Sequence, residues 1–358
     1  STPPGFAARL VNAAYDDVPA PLALAVVTGL RDRQIVVDLI EVRYGAISVA
    51  DNFTTRRGYI IARAGVREGV VADLAQLEER LSSFPEVEGI RVDANLTPGD
   101  RVGTSDLRLT VTEPDPVSVV ATLDNHGDPA LGGLRGSANF TVRSVTGRRA
   151  ALRLSLQGSE GRETGSLGYT FPLGSEGLRQ TLSYDISRSE RTDGDPSLLG
   201  LRSRMRTLAT TLAYPLRANE TGRAILTGTL EYSEDENVLA RTDILDQTTR
   251  EVSVGYLWLR RQPGRFQASV ASRVAYGRTR DRVADDRFDY LRASLDAALT
   301  YRVSEAMSGL STLAVQLSDG TVPSAKRMSI AGPAAVRGYP EGGGGDAAVI
   351  LRNEVNWS

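Results

Sequence analysis

The chain has 358 residues, with 42 Lys and Arg against 44 Asp and Glu, a formal net charge of −2, one histidine and no cysteine. That length allows more than one domain, and the near-neutral balance lacks the basic stripe of a nucleic-acid binder. The missing cysteines exclude disulfides and thiolate metal sites, and the lone His126 argues against a histidine-rich metal site or a Ser-His-Asp enzyme.

Mean hydropathy is −0.21, and no run approaches the about 18 apolar residues of a transmembrane helix. A membrane strand shows only alternate residues to lipid, so a neutral average is compatible with a barrel. The chain begins Ser1-Thr2-Pro3-Pro4, without a basic, apolar leader, and reads as a mature or trimmed chain.

In chain order, residues 36–49 are β-branched and strand-like, with a strand pair closing a first region, 1–51. Residues 71–84 predict a helix: Leu74, Leu77, Leu81 and Phe84 share one face, and Pro85 stops it. Alternation predicts strands over 90–95 and 106–112. A helix packed on so small a sheet makes an α+β unit, 52–114, in which each face needs the other for burial. The leucines are core or a client-binding face; core is the plainer choice.

From residue 117 the period becomes two. Leu134, Gly136, Ala138, Phe140 and Val142 alternate with polar residues, as do Leu152, Leu154 and Leu156. The longest case runs from Leu291 through Leu295 and Leu299 to Val303, and Val349, Leu351, Val355 and Trp357 close the series. About twelve such segments are present, each near the about 9–11 residues of a tilted membrane strand. A β-sandwich or β-propeller would also alternate. Long strands favour a membrane barrel. So do aromatics near strand ends, among them Tyr184, Tyr214, Tyr232, Tyr256, Trp258, Tyr276 and Tyr301. Connections read as tight turns such as 262–264 and long charged loops such as 234–247 and 277–287.

Pro98, Gly99, Gly103, Ser105, Asp106 and Leu107, then Asp124, Asn125 and Gly127, then Val336, Arg337, Gly338 and Tyr339, with Gly345-Asp346 and Asn353-Glu354 behind, stand in an order that resembles one family. These motifs are similar to those of the outer-membrane transporters of two-partner secretion, the TpsB family, within the BamA-like superfamily. The Pro98–Leu107 group resembles the end of that family's second POTRA domain. The Asp124–Gly127 group resembles its first barrel strand. The Val336–Tyr339 group resembles the signature of a loop, here about 320–345, that folds back into the barrel lumen.

The resemblance implies a transmembrane antiparallel β-barrel over 115–358, preceded by an incomplete first POTRA domain, 1–51, and a second, 52–114. The family barrel continues beyond Glu354, and its next strand carries the acidic acceptor of the loop arginine. The chain is therefore read as part of a closed barrel of roughly sixteen strands. The family's double glycine before the signature is Ala331-Gly332 here.

Under the resemblance, Arg337 sits at a loop tip with its guanidinium forked onto a wall carboxylate; a solvated surface arginine is the alternative. Arg352 and Glu354 share one strand face and are lumen candidates. Residues 342–345 lack the Lys-Ser/Thr of a phosphate loop and read as a flexible stem. His126 reads as a turn residue, and the charged runs 234–236 and 278–287 as solvated loops. The implied function is export of one large secreted exoprotein, an adhesin or haemolysin, across the outer membrane of a Gram-negative bacterium. The POTRA domains would stand in the periplasm and capture unfolded client by strand addition. No cofactor, nucleotide or nucleic acid is implied, and no enzymatic activity. A BamA-like insertase, an outer-membrane enzyme and a porin are the competing readings.

Overall fold

The computed structural model describes residues 23–31, 34–125, 127, 129–191, 200–330 and 344–357. The chain divides into two compact units, 1–114 and 115–358.

In the first unit, β1 (Ala23–Arg31) and β2 (Gln34–Glu41) form an antiparallel hairpin. Then come β3 (Arg43–Ala50), α1 (Arg57–Ala64), α2 (Leu74–Ser82), α3 (Phe84–Val87), β4 (Arg91–Pro98) and β5 (Thr104–Thr112). The sheet order is β3-β5-β4, with β3 parallel and β4 antiparallel to β5. Ile47, Ile60, Leu77, Phe84, Leu107 and Leu109 belong to one buried core between helices and sheet.

Local chemistry sets the helix limits. Asp73 caps α2 by accepting from the Gln76 backbone N–H at 2.9 Å. The helix expected through residue 84 breaks at Ser83, and Pro85 falls in the first turn of α3, where a missing N–H costs nothing. Helix α1 carries no side-chain N-cap and was not expected from the sequence; it ends at Gly65, whose φ of 70° suits a glycine cap. The strand-like stretch over 36–49 falls in two strands, β2 and β3, parted at Val42. Its second half, β3, lies in the sheet of the unit expected to start at residue 52, because its parallel pairing with β5 buries Ile47.

Two polar ties close this unit. Glu88 accepts from Tyr59 Oη at 2.9 Å and from Arg63 Nε at 3.2 Å, joining α1 to the end of α3 with all three residues buried. Glu113 accepts from the backbone N–H and the hydroxyl of Thr54 and from the N–H of Thr55, pinning the chain before α1 to the end of β5. Burial pushes the Glu113 carboxyl up, but these hydrogen bonds outweigh it and hold the group below the usual carboxylate range.

The second unit is a meander of twelve antiparallel strands, each paired with its neighbours in sequence. They are β6 (Val117–Asp124), β7 (Arg135–Arg143), β8 (Ala151–Gly158), β9 (Arg162–Pro172), β10 (Arg179–Glu190) and β11 (Arg202–Asn219). There follow β12 (Gly222–Leu239), β13 (Thr242–Gln262), β14 (Phe266–Asp281), β15 (Asp286–Arg302), β16 (Met307–Asp319) and finally β19 (Ala348–Trp357). Between the last two, β17 (Met328–Ser329) pairs with β18 (Gly344–Gly345) inside a long loop. Strands β6 and β19 stand at the two ends of the sheet order.

Alternation places Leu208, Leu230, Val252, Val254, Val274 and Leu351 on one exposed face. The other face carries Thr211, Thr229, Ser253, Thr249 and Thr279, with hydroxyl pairs bridging neighbouring strands at 2.9–3.0 Å. No described helix is long and apolar enough to cross a membrane, which leaves the strands as the spanning candidates.

Several strands exceed the expected length: β13 has 21 residues, and β11 and β12 have 18 each. The charged stretches expected as loops are the strand ends. Residues 235–239 and 242–247 pair across a hairpin whose turn, Ala240-Arg241, has both φ values positive (50° and 65°), as a tight two-residue hairpin turn needs. Likewise β14 and β15 pair as far as Asp281 and Asp286. A ladder that continues past an apolar band satisfies its backbone whatever its side chains, so charge alone does not end a strand.

Candidate functional site

The polar face of β12 to β16 carries a linked set of buried side chains. Glu251 on β13 accepts from Tyr290 Oη at 2.8 Å and from Arg292 Nη2 at 3.2 Å, both on β15. The Tyr290 ring is 1% exposed and lies over Gly277, where a Cβ would collide with it. Arg292 Nη1 reaches Gln316 Oε1 on β16 at 3.4 Å. Gln316 Nε2 then donates to the backbone carbonyls of Lys326 and Asp346, at 3.1 and 3.2 Å. The wall network thus ends on the loop between β16 and β19.

That loop crosses to β12. Lys326 Nζ is hydrogen-bonded and ion-paired to Glu231 Oε1, both mostly buried, and Ser324 Oγ donates to Asp235 Oδ2 at 2.9 Å. Register puts Glu231 and Asp235 on the same face as Glu251 and Gln247 of β13, so the loop stem lies on the polar side of the sheet. Asp346 clasps the stem at its base, accepting from Val322 N–H and Arg327 Nε, each at 3.2 Å. Beside the stem is a cavity of about 550 Å³ lined by Asn139, Gln157, Thr164, Asp185, Glu231 and Lys326, among others. Leu156, Ile186 and Met205 stand among these polar residues in its lining.

The expected site residues fall as follows. Val336, Arg337, Gly338 and Tyr339 lie outside the described residues, as does His126. Arg352 Nε and Glu354 Oε1 are 3.2 Å apart on the polar face of β19, both partly buried. Asp124 takes a forked pair of bonds from Arg135, at 3.1 and 3.0 Å, locking the ends of β6 and β7. Gly127 donates its N–H to the Gly133 carbonyl at 2.9 Å and has no room for a Cβ; Asn125 is exposed.

In the first unit, Asp106 Oδ1 accepts from Ala46 N–H at 2.7 Å, against Gly45, which leaves no space for a side chain. Gly103 turns at φ 76°, the Gly99 N–H closes on the Thr104 carbonyl, Pro98 pairs with Ser105, and Leu107 is core. This group builds the β4–β5 hairpin and joins it to β3.

Sequence reasoning missed Glu231, Glu251, Asp235, Lys326 and Arg292. A signal existed: a carboxylate inside an otherwise apolar-and-hydroxyl alternation, such as Glu231 or Glu251, is costly at membrane depth and calls for a partner.

The family model for haemolysin secretion/activation protein ShlB/FhaC/HecB matches residues 103–358. The chain belongs to this family. The two-partner-secretion resemblance of the sequence motifs is thereby borne out. Among curated proteins, the outer membrane transporter CdiB of Dickeya dadantii is 23% identical over 320 residues, 81% of this chain and 55% of that protein. The outer membrane transporter CdiB-2 of Burkholderia pseudomallei is 35% identical over 81 residues, 23% of this chain and 14% of that protein. The chain thus spans about half the length of the Dickeya relative.

Among solved structures of this fold, CdiB from Escherichia coli superposes with a TM-score of 0.74 at 18% identity, over 99% of this chain and 69% of that one. CdiB from Acinetobacter baumannii gives 0.65 at 16%, over 94% and 64%. BamA from Haemophilus ducreyi gives 0.57 at 12%, over 95% and 69%. The likeness to the CdiB and BamA barrels extends the ShlB/FhaC/HecB assignment to the fold.

Proposed function

We propose that the protein is an outer-membrane conduit that exports one large secreted partner, an adhesin-like or haemolysin-like exoprotein, as an extended chain. The observation that carries this reading is the loop stem of residues 320–330 and 344–347, seated on the polar wall of β12 through Lys326–Glu231 and Ser324–Asp235. A loop held on the wet face of a membrane sheet occupies the path a client would take, and moving it opens that path.

In this reading the sheet belongs to a closed barrel of roughly sixteen strands, because an open edge in lipid leaves backbone groups unsatisfied. The α+β unit built on β3, β4 and β5 acts as a periplasmic POTRA domain. It receives unfolded client along the β4 edge and the neighbouring helix α2 by strand addition, which tolerates many sequences. Arg337, with Val336, Gly338 and Tyr339, forms the loop tip and pairs with a wall carboxylate. Energy comes from the client folding outside, which prevents its return.

The chain has no cysteine, which makes a test direct. Ser324→Cys with Asp235→Cys, joined by a disulfide or a short thiol crosslinker, fixes the stem to the wall. Export of the partner should stop in the bridged protein and resume on cleavage of the bridge. Undiminished export with the bridge intact would refute the conduit. A general insertase of the BamA type is the second reading, supported by the superposition on BamA. It differs in outcome, since the bridge would then deplete many outer-membrane proteins rather than one secreted partner.

A further inference from the structure

Above the apolar band, the outward face of β13, β14 and β15 carries a cluster that folding alone does not explain. Arg250 on β13 stands directly opposite Arg278 on β14, and Arg280, two residues further along β14, stands directly opposite Arg287 on β15. Like charges facing each other across a ladder are destabilising. All four side chains are exposed. One carboxylate answers them: Asp289, forked onto Arg278 at 2.8 and 2.9 Å. The neighbouring outward carboxylates are engaged elsewhere, Glu234 with Arg206 at 3.5 Å and Asp246 with Arg282 at 3.1 Å. Among the described residues Arg250, Arg280 and Arg287 form no ion pair.

The cluster sits at a definite depth. One step below it on the same face are Val252, Tyr276 and Leu291, all exposed and apolar in body. The Tyr276 hydroxyl points up to Asp289 at 2.6 Å. A ring in the apolar layer with its hydroxyl among charges is how an interfacial tyrosine sits. The arginines therefore lie in the headgroup layer of the leaflet at the rim away from where the chain enters β6. They point away from the lumen, so a client within the barrel does not meet them. Their stems are about 5 Å apart across the ladder and about 7 Å apart along it, and guanidinium forks match phosphate oxygens two at a time.

We propose that Arg250, Arg278, Arg280 and Arg287 form a binding surface for the phosphate groups of a lipid headgroup in that leaflet. The proposal rests on the reading of the second unit as a membrane barrel. Occupancy would relieve the Arg250–Arg278 and Arg280–Arg287 repulsion and fix the tall β13–β15 ribbon against the bilayer surface.

The test uses the full-length protein in phosphatidylcholine vesicles containing a minor share of a bis-phosphorylated glucosamine disaccharide lipid or its dephosphorylated counterpart. Lipid retained on the protein is counted by native mass spectrometry. The wild type should retain the phosphorylated lipid in preference to the dephosphorylated one. R250Q/R280Q/R287Q should retain about tenfold less of it, while R202Q/R204Q/R206Q, which removes the same charge from paired positions on the same face, should stay near wild type. Equal retention of both lipids, or equal loss in both variants, would overturn the site. Insertion is read separately from gel mobility of heated and unheated samples. A wild type that does not insert removes the membrane reading itself, whereas an inserted wild type without lipid preference removes only this proposal.

Discussion

Lys326, on the loop between β16 and β19, is ion-paired to Glu231 on β12, a residue 95 positions earlier in the chain. The pair joins the loop to a wall four strands away, and both partners are mostly shielded from solvent. Its loss should favour a displaced loop. For Glu231→Gln, single-channel recording in a planar bilayer should show open events about tenfold more frequent, equivalent to about 1.4 kcal/mol. The exchange Glu231→Lys with Lys326→Glu should return recordings toward wild type. Unaltered gating in the single variant would mean that the loop is held elsewhere.

Glu88 is the buried acceptor of both Arg63 and Tyr59, and Arg63 also lies 5.5 Å over the Phe84 ring. Glu88→Ala leaves a buried guanidinium without its counter-charge, at a cost of about 3–5 kcal/mol. Hydrogen exchange on the full chain should show protection lost across α1 and α3, with the second unit unaffected. Glu88→Gln, which keeps an acceptor, should do less harm.

Glu113 gives a pH dependence with a definite sign. Its folded carboxyl titrates below the usual range, so its contribution is fully present above the unfolded value of about 4.3 and is lost as pH falls through the folded value. Protection factors at the Thr54 and Thr55 amides should therefore fall on acidification below about pH 4. In Glu113→Gln they should be lower at neutral pH and lose that acid step. A persistent step would assign it to another carboxyl.

Gly277 is required by the Tyr290 ring above it. Gly277→Ala should cost about 1–3 kcal/mol through overpacking, seen as a lower urea midpoint for the bilayer-inserted protein. Tyr290→Phe keeps the ring but withdraws one donor from Glu251, so the charge of that carboxylate would rest on Arg292 alone. Its effect should be smaller, and it should vanish in a Glu251→Ala background, where the hydroxyl has lost its acceptor.

The alternating strands were legible because each needs only its own residues: Leu291 to Leu299 read as β15 from period alone. Strand ends were not legible where the ladder rises above the apolar layer, since Glu234 and Glu236 face Arg206 and Arg204 on a neighbour rather than water on all sides. Helix α1 lacks a capping side chain, and its eight residues are too few for a clear period. Arg352 and Glu354 could be placed on one face two residues apart, and they do meet. Lys326 and Glu231 could not be matched, because no local pattern encodes a contact made by a loop crossing from one side of a sheet to another.

The stem's seat on β12 also dictates an order of assembly. Each hairpin of the meander can zip onto the previous one as it appears, using short-range contacts that form quickly. The perch for Lys326 and Ser324 exists only once β12 to β16 are laid side by side and curved enough to bring β12 under the loop. The wall must come first and the stem contacts last, so a chain halted before that bend would leave Glu231 and Asp235 without their loop partners.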